Sequence, residues 1–484
     1  MSSRKKRSKK SEPNIRFFNM FIRDGCEKKN DQDSVKTSIR FKNQALTQLR
    51  EVLLEDLTNE YFAVLMAKQQ VVGNLRVLTV MDVAYPDPSS YKNQGGAALK
   101  VDFDSFMRGV LIEIDERFDV DTVIDVHTHP FSYESAWFSG IDDADEGNFA
   151  KYLDKYGINY ASIVFTQTNY KARYWEVDDK GHPWHSPALI KTQKPIEQIS
   201  SPDDPANEQA VGEMQDRSVR ALGLESMRAI ANAQKISIIG VGGLGSVVAE
   251  HLIHMGFSSL NLIDFDKLEV TNMNRIVGAT YQDALDGKLK VDAVKKHLLA
   301  INPQADIEAM PNNIFDDEVE EAIANSDWVI VATDNHASRF HTQELCFKYF
   351  VPFITAGVNI TVEDNEIIDM SGEVILVRMG DKVCLNCLGR VNYNEIAKEM
   401  HPDPVVREGL VRKGYVQGKD VHEPAVKTLN TYLATMAVDT LVNQYTERRR
   451  DAVILVYEDN QSQSIYEDVE SLERRPRTCN VCDI

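Results

Sequence analysis

Gly240, Gly242, Gly243 and Gly245 crowd into six residues directly after the apolar run Ile236 to Ile239, and residues 246–255 read as a helix behind them. Glycines so spaced permit a tight turn and close backbone approach to a phosphate, and the helix N-terminus favours the same anion. A second apolar run, 260–263, ends at Asp264, about twenty residues past the glycines, where a carboxylate can accept hydrogen bonds from a ribose. Taken alone, this is a nucleotide-binding βαβ unit that NAD would also satisfy. The residues that follow favour ATP. They are Asp266, Asn272, Asn274, Arg275, Lys288 and Lys290, then the apolar run 328–332 with Thr333, Asp334, Asn335 and Arg339 beyond it. Cleaving ATP at its α-phosphate needs cations to spread the phosphate charge and a carboxylate for magnesium, and hydride transfer needs neither.

Two further groupings suit zinc. His127-Thr128-His129-Pro130 is followed by Ser139-Gly140-Ile141-Asp142. Two histidines at i and i+2 on an extended segment turn both rings to one side, and a carboxylate brought back by the next helix completes three protein ligands with a fourth position left for water. Zinc acidifies that water, a carboxylate outside the ligand set must then shuttle its proton, and a hydroxyl steadies the oxyanion. Cys384, Cys387, Cys479 and Cys482 form two CxxC pairs, the donor set of a closed, structural tetrahedral zinc site.

These groups need elements to carry them. Helical spacing of Phe41, Ala45, Leu46, Leu49, Val52 and Leu53 predicts a helix over 38–57, and 61–66 reads as a buried strand with Glu60 at its entrance. Strands around 71–83, a polar loop at 86–96 and a helix over 103–115 lead into the strand 123–126 that delivers His127. Strands at 161–166 and 172–177 follow. Prolines at 183, 187, 195, 202 and 205 without sustained periodicity mark 178–207 as a linker. Beyond it come a helix over 226–233, the nucleotide-binding unit, a polar loop at 392–424, an apolar helix over 425–442 and a strand at 452–457. The chain is therefore expected to be α/β, with a basic lead-in at 1–35, a metal-binding domain at 36–180, a linker at 181–210 and a nucleotide-binding domain at 211–484.

With 484 residues, of which 43% are hydrophobic, the chain can build two or three real cores. A formal net charge of -20 argues against nucleic acid as a partner, because most of this surface would repel phosphates. Six cysteines, four of them in CxxC pairs, suit a reducing compartment. No apolar run is long enough for a bilayer, and the basic start from Arg4 to Lys10 lacks the apolar segment of a signal peptide, so a cytoplasmic protein without a membrane partner is expected. The basic start itself reads as a solvated tail.

The ordered set Gly240 to Ser246, Asp264 to Arg275, Gly287 to Lys290 and Thr333 to Asn335 resembles the ThiF/MoeB and ubiquitin-activating adenylyltransferases, which share GxGGxGS, DxDxxxxxNxxR, GKxK and TDN. That resemblance implies a Rossmann-like domain that binds ATP and magnesium, and a homodimer. Asp264 would bind ribose, Asn272 would lie near ribose and phosphates, and Arg275, Lys290 and Arg339 would neutralise phosphate charge. Lys288 is the alternative to Lys290. Asp334 would hold magnesium, Arg220 would reach the ATP of the other protomer, and the CxxC pairs would hold structural zinc. The first motif resembles the JAMM (JAB/MPN) metallopeptidases. It implies His127, His129 and Asp142 as ligands of a catalytic zinc, Ser139 as oxyanion donor and Glu60 as general acid/base, with Asp143 and Asp145 as rival ligands nearby.

Together the resemblances imply adenylation of the C-terminal glycine of a ubiquitin-like protein, fused to an isopeptidase that matures or removes the same modifier. A sulfur-carrier adenylyltransferase working with a sulfurtransferase is an alternative, and a non-catalytic modifier-binding scaffold is another. No cysteine lies between Cys387 and Cys479, the region where many relatives form a thioester. The acyl group is therefore expected to pass directly to an external nucleophile, such as the cysteine of a conjugating enzyme or a sulfide. Cys346, on an apolar helix, is expected in the core, and Cys26 lies outside the resemblance.

Overall fold

The structure, a computed structural model, describes residues 35–95, 98–203, 211–364, 366–401 and 425–483. The basic lead-in with Cys26, part of the linker and most of the 392–424 loop lie outside these residues.

Seven strands form a closed barrel in the order Lys36–Arg40, Leu75–Ala84, Phe62–Val72, Thr122–Thr128, Asn159–Phe165, Tyr170–Val177 and Pro183–Lys191, the last pairing in parallel with the first. Alternating residues such as Leu65, Ile124, Val126, Ala161 and Ile163 fill the interior, all at 0% exposure. The helices Phe103–Glu116 and Gly140–Asp154 cover one outer face.

Three expectations fail here. Residues 38–40, expected in a helix, lie in the strand Lys36–Arg40, and the helix is confined to Ala45–Leu53. The apolar spacing from Leu46 onward is helical, but Ile39 belongs to the alternation of a strand held between two neighbours. The expected linker is corrected too, because Pro183–Lys191 closes the barrel and the short 3-10 helix Pro195–Glu197 follows it. Its prolines misled for a physical reason. Pairing with Lys36–Arg40 begins only at Ala188, so Pro183 and Pro187 sit where the strand has one partner and a missing N–H is tolerated. The loop expected at 86–96 contains the strand Tyr91–Gly95, paired with Ala98–Val101.

The second unit is an eight-stranded sheet in the order Asp306–Met310, Ser259–Ile263, Ile236–Ile239, Trp328–Val331, Phe353–Glu363, Glu366–Val377, Ile454–Asp459 and Gln463–Glu467. The first five strands are parallel and the rest antiparallel. From Ile236–Ile239 the chain steps outward through two strands and then returns to its other side at Trp328–Val331. That reversal opens a crevice at the strands' carboxyl ends. The helices Gly245–Met255, Lys290–Ile301 and Lys427–Thr446 pack one face through Val248, Leu252, Val294, Leu298 and Leu433. Each fully buried side chain of this size contributes roughly 1.5–3 kcal/mol. Among the described residues no helix is long and apolar enough to cross a membrane.

Barrel and sheet share a core. Leu75 and Val77 of the barrel cluster with Val319, Ile323 and Val329. Polar contacts cross the same junction: buried Arg40 Nη1 donates to Tyr349 O at 2.7 Å, and half-buried Lys191 Nζ pairs with Asp327 at 3.0 Å. Gln193 Nε2 donates to Phe41 O and to Phe350 O, while its Oε1 accepts the Met379 N–H at 3.1 Å.

Candidate functional site

The glycine loop leaves the strand Ile236–Ile239 at Gly240, whose φ of +88° only glycine adopts without strain. A Cβ on Gly245 would stand 1.9 Å from Gly240 O, so the helix can begin where it does only without a side chain there. Gly242, by contrast, faces open space. Asp264 ends the neighbouring strand and braces this loop: its Oδ2 accepts the Val241 N–H at 2.8 Å and its Oδ1 the Asp266 N–H at 2.9 Å. Burial raises the Asp264 carboxyl above the ordinary range, and Lys290 opposes that rise.

The structure separates the two candidate lysines. Lys290 Nζ lies 2.7 Å from Asp266 and 3.9 Å from Asp264, beside the loop. Lys288 Nζ is committed to Asp283 at 2.6 Å, and that ion pair holds the Asp283 carboxyl far below the usual range. Arg275 packs along Gly243 and donates to Thr271 O at 2.9 Å. Asn272 Oδ1 accepts the Glu269 N–H at 3.1 Å, closing a capping box. Arg339 Nε donates to Thr333 O at 3.0 Å. Asp334 is exposed at the mouth of the crevice, just past the strand Trp328–Val331. Arg220 is not part of this contact network; exposed, it pairs with Asp216 at 2.7 Å on its own short helix.

Some neighbours escaped the sequence reading. Asn430, buried on the helix Lys427–Thr446, brings Nδ2 within 2.7 Å of where a Cβ on Gly243 would stand, and Lys427 Nζ donates to Arg275 O at 2.8 Å. The available signal was a polar residue within the helix's buried face. Thr333 Oγ1 and His336 Nδ1 are buried with no hydrogen-bond partner among the described residues, as groups awaiting a polar ligand would be. Glu399 accepts the N–H groups of His336 and Ala337, capping the helix that starts beside Asp334.

In the barrel, strand register sets the second cluster. Phe62 pairs with His127, Thr128 N donates to Tyr61 O, and Tyr61 N donates to Thr128 Oγ1, which draws Glu60 alongside the histidines. Ser139 caps the helix Gly140–Asp154 in a reciprocal capping box with Asp142, so the Ser-x-x-Asp spacing is what aims Asp142 back at the strand. Ligand atoms of His127, His129 and Asp142 then lie within 4.8 Å of one another. Among the described residues, His127 Nε2 and His129 Nδ1 are buried without hydrogen-bond partners. Burial lowers both imidazoles, His129 to about 4 with further help from His127, so both rings are neutral and able to ligate near pH 7. Buried Glu60 is raised to about 7, first by desolvation and then by the charge of Asp142. Of the rivals, Asp143 is taken by Arg173 at 2.5 Å, and Asp145 is exposed. The donor set fits zinc: His127, His129 and Asp142 would hold it.

The Sγ atoms of Cys384, Cys387, Cys479 and Cys482 also converge within 4.8 Å, with Cys384 and Cys479 3.6 Å apart. Cys384 N–H and Cys387 N–H point at each other's sulfur, at 3.2 and 3.4 Å, as in a metal knuckle. Four thiols gathered this closely fit a structural zinc. Cys346, in contrast, is fully buried, and burial pushes its thiol well above the ordinary range.

Comparison with known proteins supports the sheet domain. Over 229 residues the chain is 30% identical to the Ubiquitin-like modifier-activating enzyme 5 of Caenorhabditis elegans, covering 43% of this chain and 52% of that protein. Over 158 residues it is 30% identical to the Molybdopterin-synthase adenylyltransferase of Escherichia coli K12, covering 32% and 59%. The chain thus spans about half the length of the curated relatives it matches. Among solved structures, E. coli MccB with MccA-N7isoASN aligns at 19% identity and a TM-score of 0.43, over 56% of this chain and 75% of that one. The ThiF family pattern matches residues 215–481, more than half of the sequence, including the glycine loop, both lysines and all of the clustered cysteines except Cys482, and the chain belongs to the ThiF family.

Proposed function

We propose that the chain adenylates the C-terminal glycine of a ubiquitin-like protein in its sheet domain and cleaves the same modifier at a zinc site in the barrel. The observation that carries the first half is the gathering of Asp264, Lys290 and Arg275 around a glycine loop in a ThiF-family domain. The modifier's carboxylate attacks the α-phosphorus of ATP, pyrophosphate leaves, and an acyl-adenylate forms. Lys290, Arg275 and Arg339 spread the charge that builds on the phosphates, and Asp334 would hold magnesium. Arg220, exposed at one side, reaches the ATP of a second copy. With no cysteine between Cys387 and Cys479, the acyl group goes to an external thiol or sulfide. Of the relatives, one is named a ubiquitin-like modifier-activating enzyme and one a molybdopterin-synthase adenylyltransferase.

The second half rests on the convergence of His127, His129 and Asp142 beside Glu60. Zinc, when bound, supplies an acidified water. Glu60, outside the ligand set, would accept a proton and return it to the leaving amine, a task suited to a carboxyl raised to about 7. Ser139 donates its hydroxyl to the developing oxyanion.

ATP–pyrophosphate exchange tests the reading. Exchange should require a ubiquitin-like protein ending in glycine and fall about 100-fold or more in Asp334→Ala. Modifier-independent exchange, or full activity in that variant, would overturn it.

A further inference from the structure

Arg173, on the strand Tyr170–Val177, is 4% exposed and takes no part in the chemistry above. Its guanidinium makes an unusual set of contacts. Nη1 donates to Asp143 at 2.5 Å, Nε to Glu146 at 2.9 Å and to Ser162 at 3.3 Å, and Nη2 pairs with Glu146 at 2.9 Å. Its central carbon stands 3.7 Å from the Phe138 ring centroid. Phe138 precedes Ser139, and Asp143 follows Asp142. One cation therefore touches both shoulders of the capping box that aims the oxyanion donor and the carboxylate ligand.

The anchor beneath it is buried and hydrogen-bonded. Glu146, 6% exposed, accepts the Trp175 Nε1–H at 2.9 Å and the Ser162 hydroxyl as well as Arg173, so the helix carrying Asp142 is bolted to two strands of the barrel that carries His127 and His129. We infer that Arg173 is the positioning residue of the barrel's metal site, holding Ser139 and Asp142 in register with His127 and His129 through Phe138, Asp143 and Glu146. This rests on the zinc reading given above. The fork and stacking face of a guanidinium meet these contacts together, and the point charge of a lysine cannot.

The test is zinc affinity of the full chain, measured by chelator competition, with thermal unfolding alongside. Wild type should hold two zinc ions and His129→Ala one. Arg173→Lys should weaken the site that His129→Ala abolishes by about 10- to 100-fold, the loss typical of outer-shell partners, while the cysteine tetrad keeps its affinity as the internal control. Asp143→Asn, on the exposed arm, should show a smaller loss in the same direction. If Arg173→Lys folds poorly, Arg173→Met with Glu146→Leu removes both buried charges, an exchange that folds tolerate, and should show the same selective loss. Unchanged barrel affinity in the folded variants, or equal losses at barrel and tetrad, would overturn the inference while leaving the zinc reading intact. Equal zinc content in wild type and His129→Ala would remove the zinc reading and the inference together.

Discussion

Asp142 Oδ2 stands 3.9 Å from His127 Nε2 while accepting the Ser139 N–H at 2.6 Å. One carboxylate thus serves as helix cap and candidate ligand, and two substitutions should pull the roles apart. Asp142→Asn keeps an acceptor for Ser139 N–H and should hold its thermal stability, yet lose the barrel zinc with the charge. Ser139→Ala loses the side-chain half of the cap, costing about 1 kcal/mol, and should retain zinc while losing cleavage of a modifier fusion. Zinc analysis paired with thermal unfolding reads both outcomes.

Lys288 and Lys290 give a sharper comparison, being two residues apart with different commitments. Lys290→Ala should cut ATP–pyrophosphate exchange by about 100-fold, the scale of removing one charge-stabilising donor. Lys288→Ala breaks only the pair with Asp283, whose carboxylate Thr280 also holds. Its exchange should stay within about twofold of wild type, as for most surface substitutions. The reverse order would exchange their roles.

Gln193 satisfies two carbonyls and one N–H at the junction of barrel and sheet. Gln193→Ala leaves these groups buried and unpaired, at about 1–3 kcal/mol each before relaxation. Calorimetry should show one cooperative transition for wild type and a lower one for the variant, with zinc release and loss of exchange coinciding. Two separated transitions in the wild type would show that the halves unfold independently.

What could be read from the sequence was whatever chemistry fixes along the chain. The glycine loop, the HxH pair, the Ser-x-x-Asp cap and the CxxC pairs each carry their geometry in their spacing. What escaped depends on neighbours distant in sequence. The strand Lys36–Arg40 exists because Leu75–Ala84 and Pro183–Lys191 flank it, and the pairing that begins at Ala188 makes Pro187 permissible. Lys288 and Lys290 could be ranked only once Asp283 and Asp266 were in place. Arg173 gave no local signal, and Asn430 only that of a polar residue within an apolar helix, since strand pairing and helix packing choose their partners.

The strand Pro183–Lys191 has a consequence for how this protein can be divided. A fragment ending near residue 180, where composition suggests a border, would lack the stave that seals the barrel. It would present Lys36–Arg40 and Tyr170–Val177 as two bare edges, templates for pairing between molecules. A fragment starting there would leave the carbonyl of Phe350 facing the orphaned Gln193 arm with no barrel to seat it. The two halves are therefore one structural unit: neither can be excised at its apparent seam without exposing what the other was covering.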